Sequence, residues 1–219
     1  MPTARESGGQ GCVAGTLAAI PSNIDPAHKF SWGENLGWMN WLDANATNDG
    51  VVVGNDFLSG SIWAENAGWI NVGAGAGPYA NTDDTDYGVN ILGDTDLDGF
   101  AWSENLGWVN FGWGAAGDLP GRAQFDGSRF RGYAWGENAG WINLDDSDAF
   151  VAMADCSTGD ADGDGDIDLA DLLTLQECFS GPAGGPLGPV CARCYDFDGD
   201  GDADLADFIV FQTRFTGSQ

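Results

Sequence analysis

A motif of eleven residues occurs four times in the first two thirds of the chain, and it constrains the fold more than any other feature. The copies are SWGENLGWMNW from Ser31, IWAENAGWINV from Ile62, AWSENLGWVNF from Ala101 and AWGENAGWINL from Ala134. Their first tryptophans lie 31, 39 and 33 residues apart, which is a period typical of stacked supersecondary units. The sequence therefore predicts an N-terminal arm over residues 1–29 and a repeat domain over residues 30–150.

Each copy of the motif has the composition of a β-hairpin. Two tryptophans flank a polar loop that ends in a glycine placed for a positive φ angle, so the two rings can meet across a turn. Short apolar segments bounded by Gly, Asn and Asp precede the motif, which predicts about three short antiparallel strands per repeat. Large side chains on both strand faces favour a sheet covered on both sides. We therefore expect a mainly β fold, with an antiparallel β-repeat array arranged as a solenoid, a sandwich or a propeller-like ring.

The eight tryptophans of the motif have two interpretations. In the first, they pack in the core while Glu and Asn side chains satisfy turn groups; in the second, exposed rings stack on sugars while Glu and Asn bind hydroxyls. A feature common to every copy usually serves packing on the neighbouring copy, so Trp102→Ala should cost about 3–5 kcal/mol. The residues assigned to repeat packing are Trp32, Trp38, Trp63, Trp69, Trp102, Trp108, Trp135 and Trp141. The same argument makes four equivalent acids poor catalytic candidates, namely Glu34, Glu65, Glu104 and Glu137.

The charge of the chain excludes several classes of partner. The chain has 7 basic and 34 acidic residues and a net charge of −27, so it repels nucleic acid and anionic lipid. No apolar run reaches the roughly 18 residues that span a bilayer. The first twenty residues lack a sustained apolar segment, so no secretory signal is visible in this chain. We therefore predict neither nucleic-acid binding nor membrane insertion.

Five cysteines bear on the compartment: Cys12, Cys156, Cys178, Cys191 and Cys194. The last four lie in a short acidic segment, where disulfides would stabilise a small core, and this favours an extracellular or cell-surface protein. A zinc site at CARC would need two more soft ligands, and the only histidine, His28, is distant in sequence. We predict that Cys178 bonds Cys191 or Cys194 and that the other of the two bonds Cys156. Cys12 is left over, either free or joined to another chain.

Two aspartate-rich segments after residue 150 have the spacing of calcium-binding loops. DADGDGDIDLAD begins at Asp160 and DFDGDGDADLAD at Asp196, and each has Asp at positions 1, 3, 5, 9 and 12 with Gly at position 6. The residue at position 7 would contribute its backbone carbonyl, and an apolar helical pattern follows each loop. We therefore expect two Ca²⁺ sites. The predicted ligands are Asp160, Asp162, Asp164, Asp166, Asp168 and Asp171 in the first loop, and Asp196, Asp198, Asp200, Asp202, Asp204 and Asp207 in the second.

The segment from about Cys156 to Phe215 resembles a bacterial dockerin, which has two calcium loops each followed by one helix. This resemblance implies a small α-helical calcium module over residues 151–219, secretion, and docking on a cohesin-like protein module. The pairs that precede position 12 help to choose the partner in dockerins, and here they are Leu169 with Ala170 and Leu205 with Ala206. Both pairs are apolar, which differs from the hydroxyl side chains common in cellulosomal dockerins.

A weaker acidic segment, GDTDLDG, contains a possible third metal site at Asp94, Asp96 and Asp98, although an exposed turn explains it equally well. The sequence lacks G-x-S-x-G and any Cys/His pairing, so we expect no enzyme. The favoured function is a secreted structural protein that joins partners, or copies of itself in a fibre, through the calcium module. Its array ends would be covered by the 1–29 arm and that module. The alternative is a carbohydrate-binding or adhesion module displayed by docking.

Overall fold

In the part of the chain that the computed structural model describes, residues 22–44, 50–93, 95–112, 121–184 and 186–217, thirteen strands precede three helices. Cys12 and Asp94 lie outside these residues. The strands are β1 (Ile24–Gly33), β2 (Gly37–Asn40), β3 (Val51–Val53), β4 (Leu58–Ala64), β5 (Gly68–Gly73), β6 (Val89–Leu92), β7 (Asp96–Ser103), β8 (Gly107–Asn110), β9 (Gln124–Phe125), β10 (Phe130–Arg131), β11 (Tyr133–Gly136), β12 (Gly140–Asn143) and β13 (Val151–Met153). The helices are α1 (Leu169–Cys178), α2 (Pro189–Cys194) and α3 (Leu205–Arg214).

The four motif hairpins form a closed antiparallel barrel of eight strands. The strand order is β1–β2–β4–β5–β7–β8–β11–β12, and β12 pairs with β1 to complete the ring. The mainly β, antiparallel prediction is confirmed, but the repeats close into a barrel instead of continuing as a solenoid. Closure also leaves no unpaired end of the array for the 1–29 arm or the C-terminal module to cover, because β1 of the first repeat pairs with β12 of the fourth.

Additional strands extend the hairpins beyond the barrel. β3 pairs with β4 and β6 pairs with β7, so the second and third repeats have three strands each, as the sequence predicts. β9 pairs with β7 and β10 with β9 ahead of the fourth hairpin, while β13 pairs with β1. The extra strands therefore connect each repeat to the next around one end of the barrel.

The barrel core contains the side chains that alternate with the motif tryptophans. In the second hairpin Ile62, Ala64 and Ile70 are buried, whereas the intervening Trp63 and Trp69 face outward. The interior of an eight-stranded barrel is only wide enough for a packed layer of side chains. The position after the first tryptophan is accordingly small and buried in every repeat, as Gly33, Ala64, Ser103 and Gly136.

Two rings of motif residues close the core above and below. The residue before the turn glycine points inward and alternates in size around the barrel, as Leu36, Ala67, Leu106 and Ala139. The last position of the motif is also buried, as Trp41, Val72, Phe111 and Leu144. Alternating large and small residues let four equivalent turns meet on one axis without overlap.

The segment that carries the two aspartate loops is a small helical unit linked by two disulfides. Cys156 bonds Cys194 and Cys178 bonds Cys191, which is one of the two predicted arrangements. Helix α2 also contacts the barrel, because the Cys191 amide donates to Asn55 Oδ1 at 3.0 Å. The disulfides point to an oxidising environment. None of the described helices has the length and apolar character required to cross a bilayer.

Candidate functional site

The motif tryptophans form a belt around the outside of the barrel. Each motif pairs its two tryptophans directly across the hairpin, for example Trp102 with Trp108, and the ring centroids of the four pairs are 4.7–5.0 Å apart in edge-to-face geometry. All eight side chains remain 36–47% exposed. The prediction that they fill the core is therefore wrong. The rings pack on each other instead, and among the tryptophans that the structure describes the fully buried one is Trp41, which lies outside the two tryptophan positions of the motif.

The turn geometry explains why the rings meet on the outer face. Gly107 adopts φ +76°, as the sequence predicts, and the other three turn glycines have φ angles of 70° to 76°. A Cβ atom on Gly107 would lie 4.0 Å from the Trp102 ring, so the first tryptophan lies close over its own turn. A left-handed residue at this point lets both strands resume pairing with their tryptophans opposite each other.

The Asn of each Glu-Asn pair forms a hydrogen bond with the turn of the preceding repeat. Asn105 Nδ2 donates to the Ala67 carbonyl at 2.9 Å, and Asn138 Nδ2 donates to the Leu106 carbonyl at 3.0 Å. Asn35 Nδ2 donates to the Ala139 carbonyl in the same way, and Asn66 Nδ2 completes a ring of four with a longer bond, of 3.5 Å, to the Asn35 carbonyl, one residue earlier in the turn. The Asn side chains thus satisfy turn groups, as the packing interpretation expects, although the tryptophans do not follow it.

The other polar positions of the motif have different roles. Glu65 is exposed and accepts a hydrogen bond from the Trp38 amide of the preceding repeat at 3.2 Å. The final Asn ends the hairpin: Asn40 Oδ1 accepts from the amides of Leu42 and Asp43, and Asn143 Oδ1 accepts from the Asp145 amide. The final Asn also lies opposite the first tryptophan of the neighbouring hairpin.

Each seam between hairpins therefore places two indole rings beside an amide and a carboxylate. The seam between the third and fourth repeats is a cavity of about 560 Å³. Trp108, Asn110, Trp135, Glu137 and Asn138 contribute to its lining. A second cavity, of about 390 Å³, lies beside Trp38 and Glu65 and is also bordered by His28, Lys29 and Phe150. Such surfaces offer apolar ring faces and hydrogen-bonding groups to one ligand.

Sequence reasoning missed further aromatic members of the belt. Phe30, Phe100 and Tyr133 precede the first tryptophan by two residues, so they share its outward face. Each lies about 6 Å from the second tryptophan of its own repeat. An aromatic residue at this position in three of the four repeats is the signal that could have revealed them.

The two aspartate loops bring carboxylates together at the same relative positions. Asp160, Asp162 and Asp171 each place an oxygen within 4.8 Å of the others, and so do the equivalent Asp196, Asp198 and Asp207. These are positions 1, 3 and 12 of the predicted loops. Oxygen atoms so arranged are suited to a hard divalent cation such as Ca²⁺.

Backbone amides hold the loop carboxylates in place. Asp160 accepts from the amides of Gly163 and Gly165, and Asp196 accepts from Gly199 and Gly201 in the same way. The position-12 carboxylates accept from the amides at positions 2 and 9 of their loops. The remaining predicted ligands have other partners: Asp164 and Asp200 accept from the amides two residues later, Asp168 and Asp204 cap α1 and α3, and Asp202 accepts from the Ala183 amide. Asp166 lies within 4.8 Å of Asp168 and Asp171.

Charge crowding shifts the pKa values of carboxylates in the first loop. Burial, together with repulsion from Asp171 and Asp164, raises the pKa of Asp162 to about 6. Burial also raises the pKa of Asp171, which remains stabilised by the amides of Asp168 and Ala161. A divalent cation at this position would relieve that repulsion.

The two loop-helix units interlock through residues that sequence reasoning missed. The Ser180 amide donates to the Ala203 carbonyl in the second loop, and the Thr216 amide donates to the Ile167 carbonyl in the first. Both hydroxyls accept in return, from the amides of Ala203 and Ile167. The repeated Phe-Ser-Gly and Phe-Thr-Gly segments after the helices are the sequence signal for this exchange.

The predicted partner-docking residues lie on exposed helix surfaces. Leu169 and Leu205 are 66% and 64% exposed, and Ala170 and Ala206 beside them are also exposed. One turn later Leu173 and Ile209 extend these apolar surfaces. Equivalent apolar surfaces thus occur on α1 and α3.

Two of the residues of the weak third metal site, Asp96 and Asp98, can be located, and both have a basic neighbour. Asp96 and Asp98 lie on β7 and point toward Arg122, whose guanidinium is 3.6 Å from Asp96 and 3.9 Å from Asp98. Gln124 also donates to Asp96 at 2.7 Å. An extended strand beside a cation explains these carboxylates without a metal, and Asp94 lies outside the described residues.

Comparison with known proteins adds no assignment to this site. No family model, no curated protein and no solved structure matches the chain.

Proposed function

We propose that this protein is a non-enzymatic extracellular binding protein whose tryptophan belt recognises a saccharide. The observation that carries the proposal is the exposure of eight paired tryptophans on the outside of a closed barrel. Large exposed apolar surfaces rimmed by polar groups mark interaction sites, since their exposure brings no folding advantage. This observation reverses the preference drawn from the sequence, where core packing was favoured.

The composition of the belt supports a sugar as its ligand. Indole faces stack on the apolar face of a sugar ring, while Asn110, Glu137 and Asn138 lie within the same seam to meet its hydroxyls. The net charge of −27 disfavours polyanionic saccharides, so the expected ligand is an uncharged polymer. Four similar seams around one barrel would bind such a polymer with an avidity greater than that of any single seam.

The calcium module supplies the second half of the proposed function. Its paired aspartate clusters support two Ca²⁺ ions, and the exposed apolar surfaces of α1 and α3 support docking on a cohesin-like module. The protein would thus be secreted and would display its belt from a partner at the cell surface. Catalysis has no role in this proposal, because the motif acids are four equivalent exposed residues and no distinctive pair emerges among them.

Binding to a panel of insoluble neutral polysaccharides would test the sugar proposal. We expect retention by at least one polymer, and Trp108→Ala with Trp135→Ala should weaken it at least about tenfold by removing stacking faces. Leu205→Asp is the matched control, because it alters the docking surface and leaves the belt intact. Failure of the whole panel to retain the folded protein, or unaltered retention of the double variant, would contradict the proposal.

Self-assembly through the calcium module is the second candidate. The specific observation in its favour is the pair of equivalent apolar surfaces centred on Leu169 and Leu205. Light scattering with Ca²⁺ and with excess chelator would distinguish the candidates. Oligomers that form only with Ca²⁺ and are lost in a Leu169→Asp, Leu205→Asp variant support assembly, whereas a monomer under both conditions leaves docking on a separate protein.

A further inference from the structure

In the third repeat a loop residue, Tyr87, packs against the tryptophan pair. The loop precedes β6, within the longest interval between motif copies, and it places the Tyr87 ring against Trp108 with centroids 5.1 Å apart and an interplanar angle of 78°. Trp102 also packs on Trp108, with centroids 4.7 Å apart and an interplanar angle of 60°. Tyr87, Trp102 and Trp108 are therefore three rings inclined to one another beside one space, and Tyr87 comes from a loop, whereas the third rings of the first and fourth repeats, Phe30 and Tyr133, come from the hairpin strands.

A cavity of about 360 Å³ lies among these rings, lined by Asp84, Tyr87, Trp102 and Trp108. On one side it adjoins the seam cavity, which contains Glu137. On the other side a cavity of about 260 Å³ is bordered by Asp83 and Asp84. Among the described residues, no Lys or Arg side chain lines any of the three cavities. The region therefore combines aromatic faces with negative charge.

The loop before β6 is held in place by its own hydrogen bonds. Buried Tyr79 anchors its start by donating to the Leu58 carbonyl at 2.9 Å, and the Tyr79 backbone exchanges two hydrogen bonds with the Asn90 side chain. Asn81 Oδ1 then accepts from the Gly88 amide across the base of the loop. A site whose walls are already fixed loses little conformational entropy when it binds a ligand.

The loop carboxylates stay ionised at neutral pH. A hydrogen bond from the Thr85 hydroxyl lowers the pKa of Asp83, and one from the Thr82 hydroxyl lowers the pKa of Asp86. Their charge adds to that of Asp84 and raises the local concentration of cations.

We propose that the cage formed by Tyr87, Trp102, Trp108 and Asp84 binds an organic cation of the quaternary-ammonium class. Ring faces attract a cation through their quadrupoles, and a methylated ammonium loses little hydration when it enters an aromatic site. A carboxylate at the rim adds charge complementarity without the geometric demands of a metal site. This site does not depend on saccharide recognition, because it requires Tyr87, which the other seams lack.

The probe for the test is tetramethylammonium, with tert-butanol as a neutral ligand of similar shape. Saturation-transfer NMR of the full chain in Ca²⁺ should detect binding of the cation and much weaker binding of the alcohol. Tyr87→Ala should weaken cation binding about tenfold, and Tyr87→Phe should retain it within about twofold because the ring supplies the attraction. Asp84→Asn should weaken it about threefold, in line with one partly exposed charge.

Tyr133→Ala is the matched control, since Tyr133 lies beside Trp141 in the fourth repeat with a centroid distance of 6.2 Å. It should leave cation binding unchanged, and circular dichroism should show that all variants are folded. Equal binding of the cation and the alcohol, or full cation binding by Tyr87→Ala, would overturn the proposal. Polysaccharide retention measured on the same variants separates the two activities, because loss of cage binding with intact retention leaves the sugar proposal standing.

Discussion

At the scale of the residue, tryptophans in this protein have two distinct physical roles. Trp41 is fully buried, donates its ring N–H to Ser31 Oγ at 2.8 Å and packs on Phe130 at 4.9 Å. Trp102 packs mainly on Trp108 and keeps more than a third of its surface in water. Only the first residue has all its apolar surface removed from solvent, so the two should contribute very differently to folding.

Alanine substitutions should reveal this difference in the free energy of unfolding. Trp41→Ala leaves a cavity and an unpaired Ser31 hydroxyl, so we expect a loss of about 3–5 kcal/mol. Trp102→Ala removes one edge-to-face pair and part of a ring contact, so we expect about 1–2 kcal/mol. Urea unfolding followed by circular dichroism measures both. A cost for Trp102→Ala equal to that of Trp41→Ala would contradict the outward role of the belt.

The sequence indicates the tryptophan pairs but not the face that they occupy. Hairpin, turn glycine and ring contact follow from local spacing, because each depends on residues within one motif. The inward face depends on closure of the barrel, which brings residues of the first and fourth repeats together. With apolar side chains on both faces, alternation cannot identify the inside. The small residue after each first tryptophan is the best local sign, since a narrow barrel needs small inward side chains.

At the scale of the element, each hairpin depends on its neighbour. The motif Asn donates from one turn to the carbonyl of the preceding turn, so four hairpins share a ring of hydrogen bonds at one end of the barrel. The inward Leu and Ala side chains of those turns pack beneath this ring. Loss of one donor leaves a turn carbonyl without its partner while the packing beneath remains.

Asn105→Ala should therefore destabilise the barrel by about 0.5–1.5 kcal/mol. Asn66→Ala is the matched control, because its bond to the Asn35 carbonyl is 3.5 Å long, whereas the Asn105 bond is 2.9 Å long. We expect a smaller loss for the control, measured by thermal unfolding in Ca²⁺. Asn105→Asp should be worse than Asn105→Ala because it places negative charge against a carbonyl oxygen. If all three variants unfolded at the same temperature as the unchanged protein, the ring of Asn hydrogen bonds would contribute nothing to stability.

At the scale of the whole molecule, the chain joins two structural units that are stabilised in different ways. The barrel is a closed hydrogen-bonded ring with an apolar core, whereas the module relies on two disulfides and a small core around Tyr195 and Phe211. The sequence predicted the cysteine pairing to within two alternatives, because the pairing follows from spacing, whereas the boundary placed at residue 150 falls just before β13, which still pairs with β1. It did not predict closure or the exchange between the two loop-helix units, since both are contacts between distant segments.

Calcium removal should loosen the module and leave the barrel folded. Carboxylates gathered within 4.8 Å repel one another without a cation, and the module has little core to oppose that repulsion. We expect excess chelator to abolish hydrogen-exchange protection in α1 and α3 while the strands of the barrel stay protected. The double variant Asp162→Asn, Asp198→Asn should reduce the difference in helix protection between Ca²⁺ and excess chelator. Unchanged protection of both helices in chelator would count against a calcium-dependent module.

The stability of the module should depend on pH in opposite directions with and without calcium. In the metal-free chain the pKa of Asp162 rises from 3.8 to about 6, through burial first and then repulsion from Asp171 and Asp164. Since the folded state binds this proton more tightly than the unfolded state, the contribution of Asp162 to stability is fully present below the unfolded pKa. It is lost as the pH rises through about 6.

The helical circular-dichroism signal that remains in chelator should therefore fall between about pH 4 and about pH 7. With saturating Ca²⁺ it should rise over the same interval, because the ion binds only the ionised carboxylates. Asp162→Asn removes the titrating group, so it should flatten the decline in chelator. Circular dichroism of the helices across this range measures both curves. Parallel curves with and without Ca²⁺ would show that the ion does not interact with Asp162.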